Sequence, residues 1–366
     1  MKFLIVLIIL LSSYVYVEGT TFPRGPLTVE TATNNAVRNS RNISQVQYQV
    51  ELIDISHDRA ENIFFNNPMP ITFADIVQRD IRNMQIRANR AFMEENILAQ
   101  RETLRFVIIN HFSNIILAEN ELALFDAEIE ILERELTILR LTYELGMGSY
   151  FAVRQAVHNL YIQNHNRLIL ENTLTQNFIE LNRIMGSPST FRYNVILDED
   201  FAPLEVININ SVISRHDRDN INIRNARRQV DIAEEELRVH NIVYYQINPA
   251  TGDFMVGQTT RREREIAVTE ANRDLSYARE TSENRLRDLY ATIRRIELDI
   301  EGLYLQVELA GMSIELLYEQ FAAGQIIRLD IYRANLNLLR LEEALNRLKN
   351  THYILITQFN NPYILV

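Results

Sequence analysis

Seven histidines, a dense set of carboxylates and one Gly-Met-Gly triplet are the residues here whose types could do chemistry. The histidines are His57, His111, His158, His165, His216, His240 and His352. His158 and His165, seven positions apart on one helical stretch, make the best-spaced pair for a metal, but no third ligand has matching spacing. They read as ordinary histidines on polar helix surfaces, and no metal site is expected. The chain has no cysteine, which excludes disulfides, thiol catalysis and thiolate metal sites. No His-Glu-x-x-His, Gly-x-Ser-x-Gly or phosphate-cradling glycine loop occurs. Gly146-Met147-Gly148 lacks the preceding strand and later glycine of a nucleotide fingerprint. The carboxylates of Glu234-Glu235-Glu236 and of Glu128 to Glu135 sit among arginines. They read as solvated helix faces with i,i+4 pairs, not as an acid–base couple. Neither an enzyme nor a cofactor is expected.

The elements that carry these residues are long helices. The 366 residues contain ten glycines and eight prolines, few enough to argue for uninterrupted helices and against an all-β fold. A hydrophobic content of 47% with 23% charge is a folded composition. Lysine occurs only at Lys2 and Lys349, and the net charge of −11 argues against a nucleic-acid partner. Residues 1–19, with Lys2 before an apolar run from Phe3 to Leu11, read as a cleavable secretory signal; an uncleaved anchor is the alternative. No later stretch approaches the roughly 20 apolar residues of a membrane-spanning helix.

In order, Thr28 caps a first helix, Asn39 to Ile43 interrupts it, and apolar positions Ile43, Tyr48, Leu52 and Ile55 predict a helix packed along its length. Asn62 to Phe73, with Pro68 and Pro70, breaks the pattern. Asp75 to Leu145 then runs without glycine or proline, a rod on the order of 100 Å. Gly146-Met147-Gly148 turns the chain, and a helix returns from Phe151 to about Met185. Phe191 to Asn210 reads as a linker. The second part climbs from Val212 to His240. Ile242 to Ile247 and Asp253 to Val256 flank a Pro/Gly turn and predict a β-hairpin. A long helix from about Thr259 to Ala322 reaches Gly324, and a final one runs from Asp330 to about Phe359. Gly324 ends one helix with positive φ, and Asp330 is expected to cap the next. Gly324 follows Gly146 by 178 positions, as Ile221 follows Ile43. The chain therefore reads as a tandem duplication: a first repeat over 20–190, a linker over 191–211 and a second repeat over 212–366. The apolar stripes are narrow, as in Glu128-Ile129-Glu130-Ile131-Leu132, so four rods need neighbours to bury their seams.

These residues resemble the TolC family of outer-membrane efflux proteins. Leu27-Thr28-Val29-Glu30-Thr31-Ala32 is similar to the family's helix start. Gly324, Asp330-Ile331 and Ala334 match its hairpin-tip pattern, and Gly146, Val153 and Ala156 match it with Ala152 in place of the usual aspartate. Leu181 to Gly186 matches its closing motif. The resemblance implies a mainly α fold of two long antiparallel coiled-coil hairpins and a homotrimer forming a tunnel. It also implies tips, at 145–150 and 323–330, that meet a periplasmic adaptor driven by an inner-membrane pump. The adaptor-facing candidates are Leu145, Gly146, Met147, Gly148 and Ser149, with Ala323, Gly324, Gln325, Ile326 and Ile327. Asp330 falls where the family places an acidic pore constriction; capping alone is the other reading. Family members cross the outer membrane on strands, which need about 9–11 residues each. The hairpin here offers roughly six per strand, so the barrel is expected to be reduced or the trimer to reach a surface layer without spanning lipid. A structural coiled-coil protein of the cell envelope, without a pore, is the competing function.

Overall fold

The structure is a computed structural model, and it describes residues 25–66, 73–197, 201–204, 208–244 and 258–364. The first part comprises β1 (Leu27–Thr28), α1 (Val29–Asn39), α2 (Arg41–Phe65), α3 (Phe73–Glu144) and α4 (Tyr150–Met185). β2 (Val195–Ile196) follows, then α5 (Ile209–Asp219), α6 (Ile221–Tyr244), α7 (Gln258–Ala322) and α8 (Arg328–Asn360). α3 has 72 residues, about 110 Å at 1.5 Å per residue, and α7 has 65.

Each long helix carries two shorter ones stacked end to end along it. α2 runs antiparallel to the first part of α3, where Arg90 Nε meets Asp54 at 2.8 Å and Asn83 donates to Glu61 at 2.8 Å. α4 covers the second part, where Arg167 Nε meets Asp126 at 2.5 Å. α6 and α8 cover α7 in the same way, through Ile223, Val230 and Leu275 at one end and Ile296, Ile300 and Leu345 at the other. α3 also packs against α6 and α8, so the rods stand in a row: α2 with α4, then α3, then α6 with α8, then α7. Ion pairs join the halves, chiefly Glu95 of α3, buried and held by Arg228 through bonds of 3.0 and 2.8 Å and by Arg224 at 2.6 Å.

The main cores lie where α1 and α5 cross the stacked helices. The first gathers Ala32, Ala36, Ile108, Phe112, Ile115 and Leu181, and the second Val212, Leu286, Ile293 and Phe359. Each fully buried Leu, Ile or Phe side chain contributes about 1.5–3 kcal/mol. In the first core a parallel bridge pairs Leu27 with Val195, and Asn182 Nδ2 donates to the Phe191 carbonyl at 2.9 Å.

The joints explain two residue choices. Ser40 ends α1 and caps α2, accepting from the Ile43 N–H at 3.3 Å. α4 ends at Gly186, whose φ is +70°, and a Cβ there would stand 2.7 Å from the Asn39 amide. That amide donates to the Arg183 and Ile184 carbonyls at 3.2 and 3.1 Å, so glycine supplies both the left-handed turn and the space.

Several expectations are corrected. α6 continues through Ile242, Val243 and Tyr244, where a strand was expected, and the remainder of that hairpin lies outside the described residues. α2 continues to Phe65, so the expected break at Asn62 comes later, and residues 67–72 lie outside the described residues. Ile43 is buried as expected, but Tyr48, Leu52 and Ile55 are exposed: α3 covers one side of α2 and nothing among the described residues covers theirs. Finally, the helix breaks at Ser40 and Asn220 lie 180 positions apart, while the hairpin tips keep the spacing of 178. Ile43 therefore corresponds to Ile223, not Ile221.

Candidate functional site

The site that the sequence singles out is the pair of hairpin tips, and both lie at one end of the row. Arg333, nine residues past Gly324, reaches Glu135, eleven before Gly146, at 2.7 Å. Both turns close alike. Gly146 (φ +73°) donates to the Tyr143 carbonyl at 2.9 Å, and Met147 to that of Thr142 at 2.9 Å. Gly324 (φ +71°) donates to the Phe321 carbonyl at 3.0 Å, and Gln325 to that of Gln320 at 2.9 Å. This is the Schellman pattern, which satisfies the last carbonyls of the incoming helix and requires a left-handed residue.

The returning helices start differently. Ser149 caps α4 by accepting from the Phe151 N–H at 3.1 Å. α8 starts after Ile327, which has no side-chain acceptor. Asp330, expected as the cap, instead occupies the third helical position and reaches back, its Oδ2 accepting from the Ile327 N–H at 3.2 Å. Arg333 stands 3.7 Å from the other Asp330 oxygen, so the carboxylate is held by its own helix and left partly open to solvent.

At the first tip Leu145 and Met147 are largely exposed, and Ile327 is exposed at the second. Gly148 lies so close to the helix before it that a Cβ would meet the Tyr143 nitrogen at 2.9 Å. Behind each turn a ring contact braces the hairpin: Tyr143 with Tyr150 at 5.8 Å, and Arg328 over Phe321 at 5.7 Å. Small turn residues with apolar groups around them can seat another helical tip closely.

The histidines are dispersed. His158 and His165 both lie on the exposed face of α4, with His165 stacked on Tyr161 at 6.5 Å. His352 packs beside Phe201 and meets the buried Glu297 carboxylate at 3.2 Å, an oxygen that also accepts from the Leu204 N–H at 2.5 Å. Burial holds His111 and His216 below the ordinary imidazole range. Among the described residues no three His, Asp or Glu side chains are grouped so that they could hold a metal ion.

Reading Glu128 to Glu135 as a solvated face missed a ladder. Arg333, Arg340 and Arg347 of α8 meet Glu135, Glu128 and Glu121 of α3 at 2.7, 2.5 and 3.4 Å. Both triplets step by seven residues in opposite directions, as an antiparallel coiled coil demands. Arg134 follows the expected local pattern, bonding Glu130 at 2.6 Å while its guanidinium lies over Tyr332 at 4.6 Å. The heptad spacing of the arginines was the signal that could have revealed the ladder.

No protein-family model matches the sequence, and no curated protein matches it. Solved structures do match the fold. VceC, an outer membrane protein from Vibrio cholerae, superposes with a TM-score of 0.69 at 11% identity over 92% of this chain and 96% of that one. CusC, a transmembrane channel former, gives 0.69 at 11% over 92% and 91%. The CmeC outer membrane channel of Campylobacter jejuni gives 0.67 at 12% over 92% and 85%. The chain thus has the doubled-hairpin fold of these outer-membrane channels.

Proposed function

We propose that three copies of this chain close into a tunnel, an exported outer-membrane efflux channel whose tips dock on a periplasmic adaptor coupled to an inner-membrane pump. Its cargo is small molecules or proteins. The observation that carries this reading is the row of four rods with two equivalent tips at one end and two edges of unmatched kind. A row whose edges differ pairs head to tail, and head-to-tail pairing that curves closes into a ring. The likeness to VceC and CmeC in fold supports the same reading. No helix among the described residues is long and apolar enough to cross a membrane, and residues 245–257 are too few for two strands of about 9–11 residues. The membrane end is accordingly read as a reduced barrel.

Negative-stain electron microscopy of the purified protein tests the reading. Ring-shaped trimers with a stain-filled lumen are expected, and trimers should partition with outer-membrane vesicles. Monomers, or filled rods without a lumen, would remove it. Asp330 is proposed as the constriction, since three carboxylates around a narrow pore focus a negative potential. In planar-bilayer recordings Asp330→Asn should reduce cation selectivity. An unchanged reversal potential would leave Asp330 only its capping role.

A further inference from the structure

α7 carries an apolar seam that the described residues leave uncovered. Leu298, Leu305, Leu309, Met312 and Leu316 recur at three, four and seven, and all are exposed. They lie roughly opposite Ile293, Ile300 and Ile314, which are buried. The duplication says what covers them. Through the spacing of 178 shared by the tips, α7 corresponds to α3 and α4 to α8. Within one chain α3 and α8 meet along a heptad seam in which Ile131 contacts Leu329 and Leu336, flanked by the Arg–Glu ladder. Their counterparts are Leu309 on α7 with Phe151 and His158 on α4, at opposite edges of the row.

We infer that α4 of one copy packs on α7 of the next in the register of the internal α3–α8 seam. Ile162 then faces Gln306, and Ile169 faces Asp299. This rests on the reading that copies close into a ring, and adds to it which residues meet. Every counterpart on α4, from Phe151 to Ile169 at alternating steps of four and three, is exposed, as are Asp299, Gln306, Leu309 and Ser313. The correspondence also brings His165, bulky and stacked on Tyr161, to Gly302, where an added Cβ would have nothing within 4 Å. Bulk on one edge thus meets a notch on the other. The chemistry of the seam differs from its internal copy. Arg340–Glu128 becomes Ile162–Gln306, and Arg347–Glu121 becomes Ile169–Asp299. With isoleucines where the internal seam has arginines, the joint between copies carries no Arg–Glu ladder.

Because the chain has no cysteine, the register can be read by cross-linking the full-length protein. The double variant Ile162→Cys/Gln306→Cys, treated with a short bis-maleimide, should shift from monomer to covalent dimer and trimer on a denaturing gel. The control Arg340→Cys/Glu128→Cys, whose partners share one chain, should stay at monomer mass. Particles of trimer mass in light scattering that fail to link at 162/306, or that link better at Ile162→Cys/Ser313→Cys, would overturn the register and leave the tunnel standing. A monomer in light scattering would overturn both.

Discussion

α3 and α7 are one rod used twice, and they differ in what stands beside them. α3 has α1, α2 and α4 on one side and α6 and α8 on the other, whereas α7 has α5, α6 and α8 along one side. Where α3 presents Glu121, Glu128 and Glu135 to arginines of α8, α7 presents Asp299, Gln306 and Ser313 to solvent. Ile131 is buried and its counterpart Leu309 is exposed. Both keep the apolar step of the heptad, but of the three carboxylates α7 retains only one, as Asp299. An apolar step survives duplication because any packed neighbour uses it, while an ion pair survives only if both partners are copied together. The comparison therefore separates a seam that holds one chain from a seam proposed to hold chains to each other.

The sharpest break of that comparison is a matched pair of truncations. Ile131→Ala removes a buried side chain from the α3–α8 seam and should cost about 2–4 kcal/mol, measured by urea unfolding. Leu309→Ala should leave the isolated chain within about 0.5 kcal/mol of the parent, because an exposed side chain loses little. It should instead lower the thermal midpoint in a concentration-dependent way, as weaker assembly does. Equal and concentration-independent losses at both positions would mean that α7 has no partner.

The joints differ too, and acid distinguishes them. In the first half Asn39 ties α1 to the end of α4; in the second, His216 Nε2 meets the Phe359 carbonyl at 3.1 Å and Asn220 donates to that of Pro362 at 3.3 Å. Burial depresses the pKa of His216, and also that of His111, which faces Glu180 and Arg183 on α4 from α3. The Nδ1 atoms of both lack a partner among the described residues. An imidazole whose folded pKa lies below its unfolded value of about 6.5 favours the fold fully above that pH. The contribution falls as pH drops below it, because the unfolded chain takes up the proton first. The denaturation midpoint should therefore be lower at pH 5 than at pH 7.5. His111→Leu, which copies the counterpart Leu289 into the first half, should shrink that drop. A drop of unchanged size would assign the acid response to other groups.

Much of this architecture was legible in the residues. The absence of glycine and proline between Asp75 and Leu145 gave the long rod, because nothing there could break it. Gly146 and Gly324 marked the tips, since a left-handed residue is nearly always glycine. The strand expected at Ile242 to Tyr244 failed because β-branched and aromatic residues can also end a helix, and propensity yields to the packing of the preceding turns. Asp330 was misplaced by three residues, since an aspartate serves a helix start from the cap or from the third position alike. The exposure of Tyr48, Leu52 and Ile55 could not be read at all. Periodicity reports an apolar face and is silent on whether its cover lies in the same chain.

The ladder gives the smallest effect and the finest discrimination between the two seams. Arg333, Arg340 and Arg347 are each about half exposed, so solvent screens their attraction even though Glu128 is mostly covered. A double-mutant cycle with Arg340→Gln and Glu128→Gln should give a coupling of about 0.5–1 kcal/mol. At about 1 M salt, where the Debye length shrinks to roughly 3 Å, most of that coupling should vanish. Assembly of the parent protein should behave otherwise. With Ile162 and Ile169 in place of arginines, contact between copies gains nothing from ion pairing, so trimer dissociation should be flat or weaken slightly across the same salt range. Trimers that fall apart as salt rises would mean that charged residues elsewhere on α4 or α7 join the copies, and the inherited register would have to be abandoned.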